Sequence, residues 1–211
     1  MRAVAILLAT CLLGSCASAS HFPPSLLAAV EPCSYGDGVP VMDDFRSDWY
    51  SSHLRAAGEP RLGQGAPAYQ TGGVGVLRLT WLRSFDAPVI VRVEATADHR
   101  LKLVGKELSG AGGYEPGRVA RKVERLLSAD ETSHLTALLA ETRVLDLPPV
   151  EDCPAQADGS IIVRADGARW IIEANGSDGY RFIDRWSAEG PVRALGLRLI
   201  GLTGWTYDRI Y

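Results

Sequence analysis

No long basic run, no apolar stretch long enough to span a bilayer and no metal-ligand spacing occurs in this 211-residue chain. The first absence removes the phosphate-tracking face that nucleic-acid binding needs, since 22 basic and 25 acidic residues are interspersed throughout. The second leaves Val4–Leu13 as the most apolar run, and ten residues fall well short of a membrane span. His21, His53, His99 and His134 are scattered, without the clustered ligands of a zinc site, and no metal or other cofactor is expected. Also missing are G-x-S-x-G, H-E-x-x-H and G-x-x-x-x-G-K-[ST], so no familiar hydrolase, metalloprotease or nucleotide fingerprint is present. Gly110-Ala111-Gly112-Gly113 stands without a nucleotide motif and reads as a mobile hairpin loop.

The first twenty residues carry the clearest positive signal. Arg2, the apolar run and the small residues Ala17-Ser18-Ala19 have the layout of a secretory signal peptide. Leu13-Gly14-Ser15-Cys16 resembles a bacterial lipobox, in which the cysteine is lipidated and becomes the new N-terminus. Residues 1–15 are therefore expected to be a lipoprotein leader, with cleavage after Ala19 as the alternative. The first reading places the protein in the periplasm or on the outer membrane of a bacterial envelope through a lipid anchor; the second makes it secreted. Export leaves Cys33 and Cys153 in the body of the chain, where an oxidising compartment allows a single pairing. A bridge between them closes a loop of about 120 residues, worth roughly 4–5 kcal/mol in the chain-entropy description. Two free buried thiols are the rival reading.

Turn formers dominate residues 16–73, an irregular N-terminal arm read as a strap over a sheet edge. A short helix is expected near Asp44 to Ala57, with Phe45, Trp49 and His53 on one stripe. From Gly75 the pattern turns to period two. Leu77, Leu79 and Trp81 alternate with Arg78, Thr80 and Leu82, and strands follow near Val89–Val93, His99–Leu108 and Arg118–Leu127. Such a meander can keep one face wet. Ser128-Ala129-Asp130-Glu131 is a capping box for a helix that Pro148-Pro149 stops. A second meander follows at about 160–186: Ile161 to Ala165, an Asp166-Gly167 turn, Arg169 to Ala174, and Tyr180 to Trp186. Gly190-Pro191 opens a last helix. Strands, helix, strands, helix, without βαβ alternation, make residues 74–211 a single α+β domain with a largely antiparallel sheet.

Polar and aromatic residues are densest at Glu173, Tyr180, Asp184, Arg185 and Trp186. Glu173 and Asp184 read either as an acid–base pair for hydrolysis of a sugar or peptide bond, or as a cross-strand Glu–Arg pair and a capping Asp. Glu107 and Glu115 read as solvated charges flanking the glycine loop. The Asn175-Gly176-Ser177 sequon reads as a turn, given the bacterial leader. Trp170-Ile171-Ile172-Glu173, Gly179-Tyr180 … and Asp184-Arg185-Trp186-Ser187 resemble a W-[IV]-x-E…G-x-Y-x-x-x-D-R-W-S pattern in secreted bacterial proteins. The resemblance covers about the last third of the chain, brings no activity with it, and implies that these five residues matter. The expected function is non-catalytic: binding of another envelope or extracellular protein, an inhibitor-type role included. An envelope hydrolase and a purely structural lipoprotein are the alternatives. A binding surface should show as an exposed apolar or aromatic patch.

Overall fold

A computed structural model describes residues 20–32, 38–65, 67, 69–71, 73–151, 160 and 166–211. The leader, all four cysteines and the strand expected around Ile161, Val163 and Ala165 lie outside the described residues. The arm contributes α1 (Pro24–Leu27), a small β1–β2 pair (Val30–Glu31, Val39–Pro40) and α2 (Asp44–Ala56). Next come β3 (Val76–Arg83), β4 (Val89–Ala95), β5 (Leu101–Leu108), β6 (Val119–Leu126) and α3 (Ala129–Thr142). After a single 3-10 turn at Val144–Asp146, the hairpin β7 (Ala168–Gly176) and β8 (Gly179–Trp186) leads to α4 (Gly190–Leu202).

The six long strands form one antiparallel sheet in the order β6-β5-β4-β3-β7-β8. The fold is thus α+β, with the two strand groups joined where β7 pairs with β3 and each followed by its helix. Alternation along the strands gives the sheet two faces. One carries Leu77, Leu79, Trp81, Val91, Val93, Leu103, Trp170 and Ile172, and α3 and α4 close it with Leu135, Leu195 and Leu199. Trp81 and Trp170 sit at the centre, 5.1 Å apart between ring centroids. Gly196 is needed beneath them, because a Cβ there would overlap the Trp170 ring. The capping box forms as expected: Ser128 Oγ accepts from the Glu131 N–H, and Glu131 accepts from the Ser128 N–H.

The second face is where expectation and structure part. The arm does not strap an edge, and that face is not wet. The described arm residues 20–32 and 38–62 lie across it as a third layer, with Phe22, Leu26, Val41, Met42, Tyr50 and Leu54 meeting Leu82, Ile90, Leu108, Ile171 and Phe182. Within α2 the buried stripe is Ser47, Tyr50, Ser51 and Leu54 together with His53, while Phe45 is 73% exposed. An aromatic i, i+4, i+8 pattern had suggested otherwise; the two serines pack closely where the arm's own start crosses the helix. His99 lies in the turn before β5 at φ 58°, not at the opening of a strand. No helix among the described residues is long and apolar enough to cross a membrane.

Candidate binding surfaces and the buried charge network

The arm-facing side of the sheet holds charges in a place where uncompensated charge is expensive. Arg78 on β3 and Glu173 on β7 are register partners, both at most 1% exposed. Arg78 donates from Nε (2.9 Å) and Nη2 (2.5 Å) to one Glu173 oxygen. Tyr180 OH donates to the other at 2.8 Å. The cross-strand arginine of Glu173 is therefore Arg78, and Phe182, not Arg181, lies opposite Glu173 on β8. Burial, and then the neighbouring carboxylate, pushes the Tyr180 phenol well above its ordinary range.

Glu59, just past α2, plugs the rest. It accepts from Lys106 Nζ at 2.6 Å and Arg92 Nε at 2.9 Å, and Arg78 approaches within 3.8 Å. Burial alone would raise this carboxyl, but the Lys106 hydrogen bond and the Arg92 and Arg78 charges hold it below its ordinary value. Arg92 also pairs with Glu94. Three sheet cations, Arg78, Arg92 and Lys106, are thus matched by Glu59, Glu173 and Glu94. Arm carbonyls take the remaining donors: Pro60 from Arg78, Ala57 from Lys106, and Leu62 and Gly65 from the buried Asn175 amide. Asn175, the sequon residue, is the last but one residue of β7 and is tied inward rather than presented to solvent.

A second nest forms around Asp184, 2% exposed on β8. Its oxygens accept from Tyr50 OH on α2 at 2.8 Å and from Arg169 at 3.4 Å, and Arg46 lies 3.9 Å away. It caps neither a turn nor α4. Arg169 in turn sits 5.1 Å from the Trp186 ring centroid. Arg185 donates to Pro148 O and Pro149 O, fixing the incoming loop along β8. All five residues of the sequence cluster are accounted for in this way. Glu173 and Asp184 are diagonal neighbours on adjacent strands, yet each is buried and committed to an arginine. That arrangement offers no water-accessible acid or base for a glycosidase or peptidase step.

Arg78, Arg92, Lys106, Glu59 and Tyr50 escaped sequence reasoning. Their signal was there in part: Arg78, Arg92 and Lys106 share one face of the sheet with the apolar Leu82, Ile90 and Leu108. Glu59 and Tyr50 had none, because their partners lie on other elements. Glu107 is not a free loop charge: it accepts from Tyr207 OH at 2.7 Å and Arg121 at 2.9 Å. The glycine loop is tied rather than loose. Gly112 N donates to Asp86 O, Gly113 N to Ser84 O, and Trp49 Nε1 donates to Gly112 O at 2.7 Å.

Among the described residues, two open surfaces lie at opposite ends of the sheet. At the end formed by the β3–β4 turn and the β5–β6 loop, Phe85 (60% exposed) and Tyr114 (67%) stand 6.2 Å apart. Trp49 links Phe45 to that end, its ring centroid 5.9 Å from that of Phe45. At the other end a cleft of about 340 Å³ opens between the C-terminal half of α3 and the β7–β8 turn. Thr136, Arg143, Asp146, Ser177, Asp178 and Arg181 supply its polar lining. Arg143 holds a left-handed conformation at φ 48° as the C-cap of α3 and pairs with Asp146 at 2.7 Å. No residue cluster able to hold a metal ion exists among the described residues. No family model, no curated protein and no solved structure matches this chain.

Proposed function

We propose that the chain is an exported, lipid-anchored, non-catalytic binding domain of a bacterial cell envelope, whose partner is another envelope protein or an incoming one. An inhibitor-type role falls within this reading, as does kinship of the last third with the secreted bacterial proteins that share its tryptophan–arginine pattern. The observation that carries it is the commitment of Glu173 and Asp184 to buried arginine pairs. The densest polar constellation in the sequence is spent on holding three layers together, so function falls to the exposed ends. The leader and lipobox layout supplies the anchor at Cys16. Of the two ends, the cleft beside Asp178 and Arg181 is the one assigned to the partner, because it combines a concave shape with unburied polar groups.

The test joins intact-mass spectrometry on protein from its own host to photocrosslinking in native membranes. The expected chain begins at an acylated Cys16, and a photoreactive residue placed at Asp178 captures a protein. A lipid-free chain beginning near Ser20 contradicts the anchor. An acylated chain that captures no protein from Asp178 contradicts the binding role and leaves a structural lipoprotein.

A further inference from the structure

The open sheet has two edges, and they are finished differently. Along β8 the incoming loop closes part of the edge: Asp184 N donates to Pro149 O at 2.7 Å, and Arg185 Nη1 donates to the same carbonyl. Along β6 no described segment pairs with the outer side, and most of its residues are exposed. Leu127 N donates to Leu101 O. By antiparallel alternation, Arg121, Val123 and Arg125 therefore spend their backbone groups on β5, while Lys122 and Glu124 aim theirs outward. An open edge of this length is a template for another strand. Its side chains decide which strand fits.

The pattern around Val123 fits its own copy. A two-fold axis perpendicular to the sheet keeps every side chain on its own face, so opposed residues must be an even number of positions apart. Centring that axis on Lys122 sets lysine against lysine, and centring it on Glu124 sets carboxylate against carboxylate. Centred on Val123, it sets each Lys122 against Glu124 of the other copy, and each such pair exchanges two backbone hydrogen bonds. Glu124 lies 2.6 Å from Lys122 and 3.0 Å from Lys102 within its own chain, which holds its carboxylate at the edge. The same register lays Val123 against Val123 on the α4 side, where it already packs against the core. Arg121 then faces Arg125, but both are matched within their own chain, by Glu107 at 2.9 Å and Glu131 at 2.7 Å. We propose that β6 pairs antiparallel with β6 of a second copy in the Val123-centred register, joining two six-stranded sheets into one of twelve. The cleft beside the β7–β8 turn lies toward the opposite edge, so pairing leaves it open in both copies. The proposal requires neither the cleft's partner nor the anchor. A seam one strand long buries far less than the roughly 1,600 Å² of a standard interface, so the dimer is a reversible one.

The experiment is sedimentation equilibrium of the purified full chain in density-matched detergent, with the concentration carried up to about 200 µM to populate a weak dimer. The parent mass should rise from one chain toward two. Lys122→Glu and Glu124→Lys each set like charges across the seam and should weaken association about tenfold or more. Mixed in equal amounts, the two variants restore opposite charges and should associate within about threefold of the parent. A parent that stays monomeric across the range overturns the proposal. So does a dimer that Lys122→Glu leaves intact, or a mixture that associates no better than its components.

Discussion

The two faces of the sheet are covered by opposite means. On the α3–α4 side, Trp81, Trp170 and a full set of aliphatic residues exclude water with almost no polar atoms. On the arm side, Phe22, Tyr50 and Leu54 share the interface with Arg78, Arg92, Lys106, Glu59 and Glu173. Apolar burial contributes roughly 25 cal/mol per Å² whatever the exact register. Buried ion pairs gain little net stability, because desolvation offsets most of the attraction, yet removing one partner is severe. The helix face therefore supplies stability, and the arm face supplies a lock that closes in one register and one charge state. A turn-rich arm gains from such a lock, since a slipped arm leaves charges unpaired.

The contrast can be broken at several points. The largest effect is expected on the apolar side: Trp170→Ala should cost about 4–5 kcal/mol in urea unfolding, through the cavity left against Gly196 and Trp81. A loss under 1 kcal/mol would mean that this core collapses freely. Next, Glu59→Gln leaves Arg92 and Lys106 facing each other and should cost about 3–4 kcal/mol. The triple change Arg78→Met, Glu173→Leu and Tyr180→Phe should cost less than Glu173→Gln alone, because it removes the charges together. Additive losses would show that these pairs stabilise outright.

Acid should act on the arm face first. Burial lowers the pKa of both His21 and His53, so the folded state resists a proton that the unfolded state takes up. Their contribution is intact above about pH 6.5, the ordinary histidine value, and declines as pH falls below it. Glu59, held below its ordinary value, adds a further loss as pH drops below about 4.5. Urea midpoints measured at pH 7.5, 5.5 and 4 should fall in that order, and His53→Gln should flatten the first step. Smallest of all, Ser128→Ala should cost about 1 kcal/mol by opening the capping box. The Arg125 hydrogen bond and then the Ser128 backbone hold the Glu131 carboxyl at about 2, so this loss should stay constant from pH 7.5 to 4.

The contrast also explains what the sequence could disclose. Period-two alternation placed Leu77, Leu79 and Trp81 on one face, and Ser128 with Glu131 marked the start of α3, because both signals are local. The α+β class followed from element order alone. What the arm does was illegible: its turn-rich composition says irregular, and nothing local says which surface an irregular segment covers. The alternating charges Arg78, Arg92 and Lys106 looked like a solvated face, since a strand pattern reads the same whether water or a partner layer meets it. Glu173 and Asp184 were visible as a cluster, but their partners Arg78 and Tyr50 are 95 and 134 residues away in the chain. Register settled the first pairing and the layer order the second. The exposed aromatics at positions 45, 85 and 114 come from three separate elements, so no window along the chain could gather them.

Native-state hydrogen exchange at pH 7.5 tests the lock most directly. In the parent protein, amides of Tyr50 to Leu54 should be protected to within a few-fold of those around Ile172 in β7. In Glu59→Gln the α2 amides should lose protection by a hundredfold or more while α4 amides change far less. An α2 that exchanges freely in the parent, or an α4 that opens together with α2 in the variant, would contradict the account.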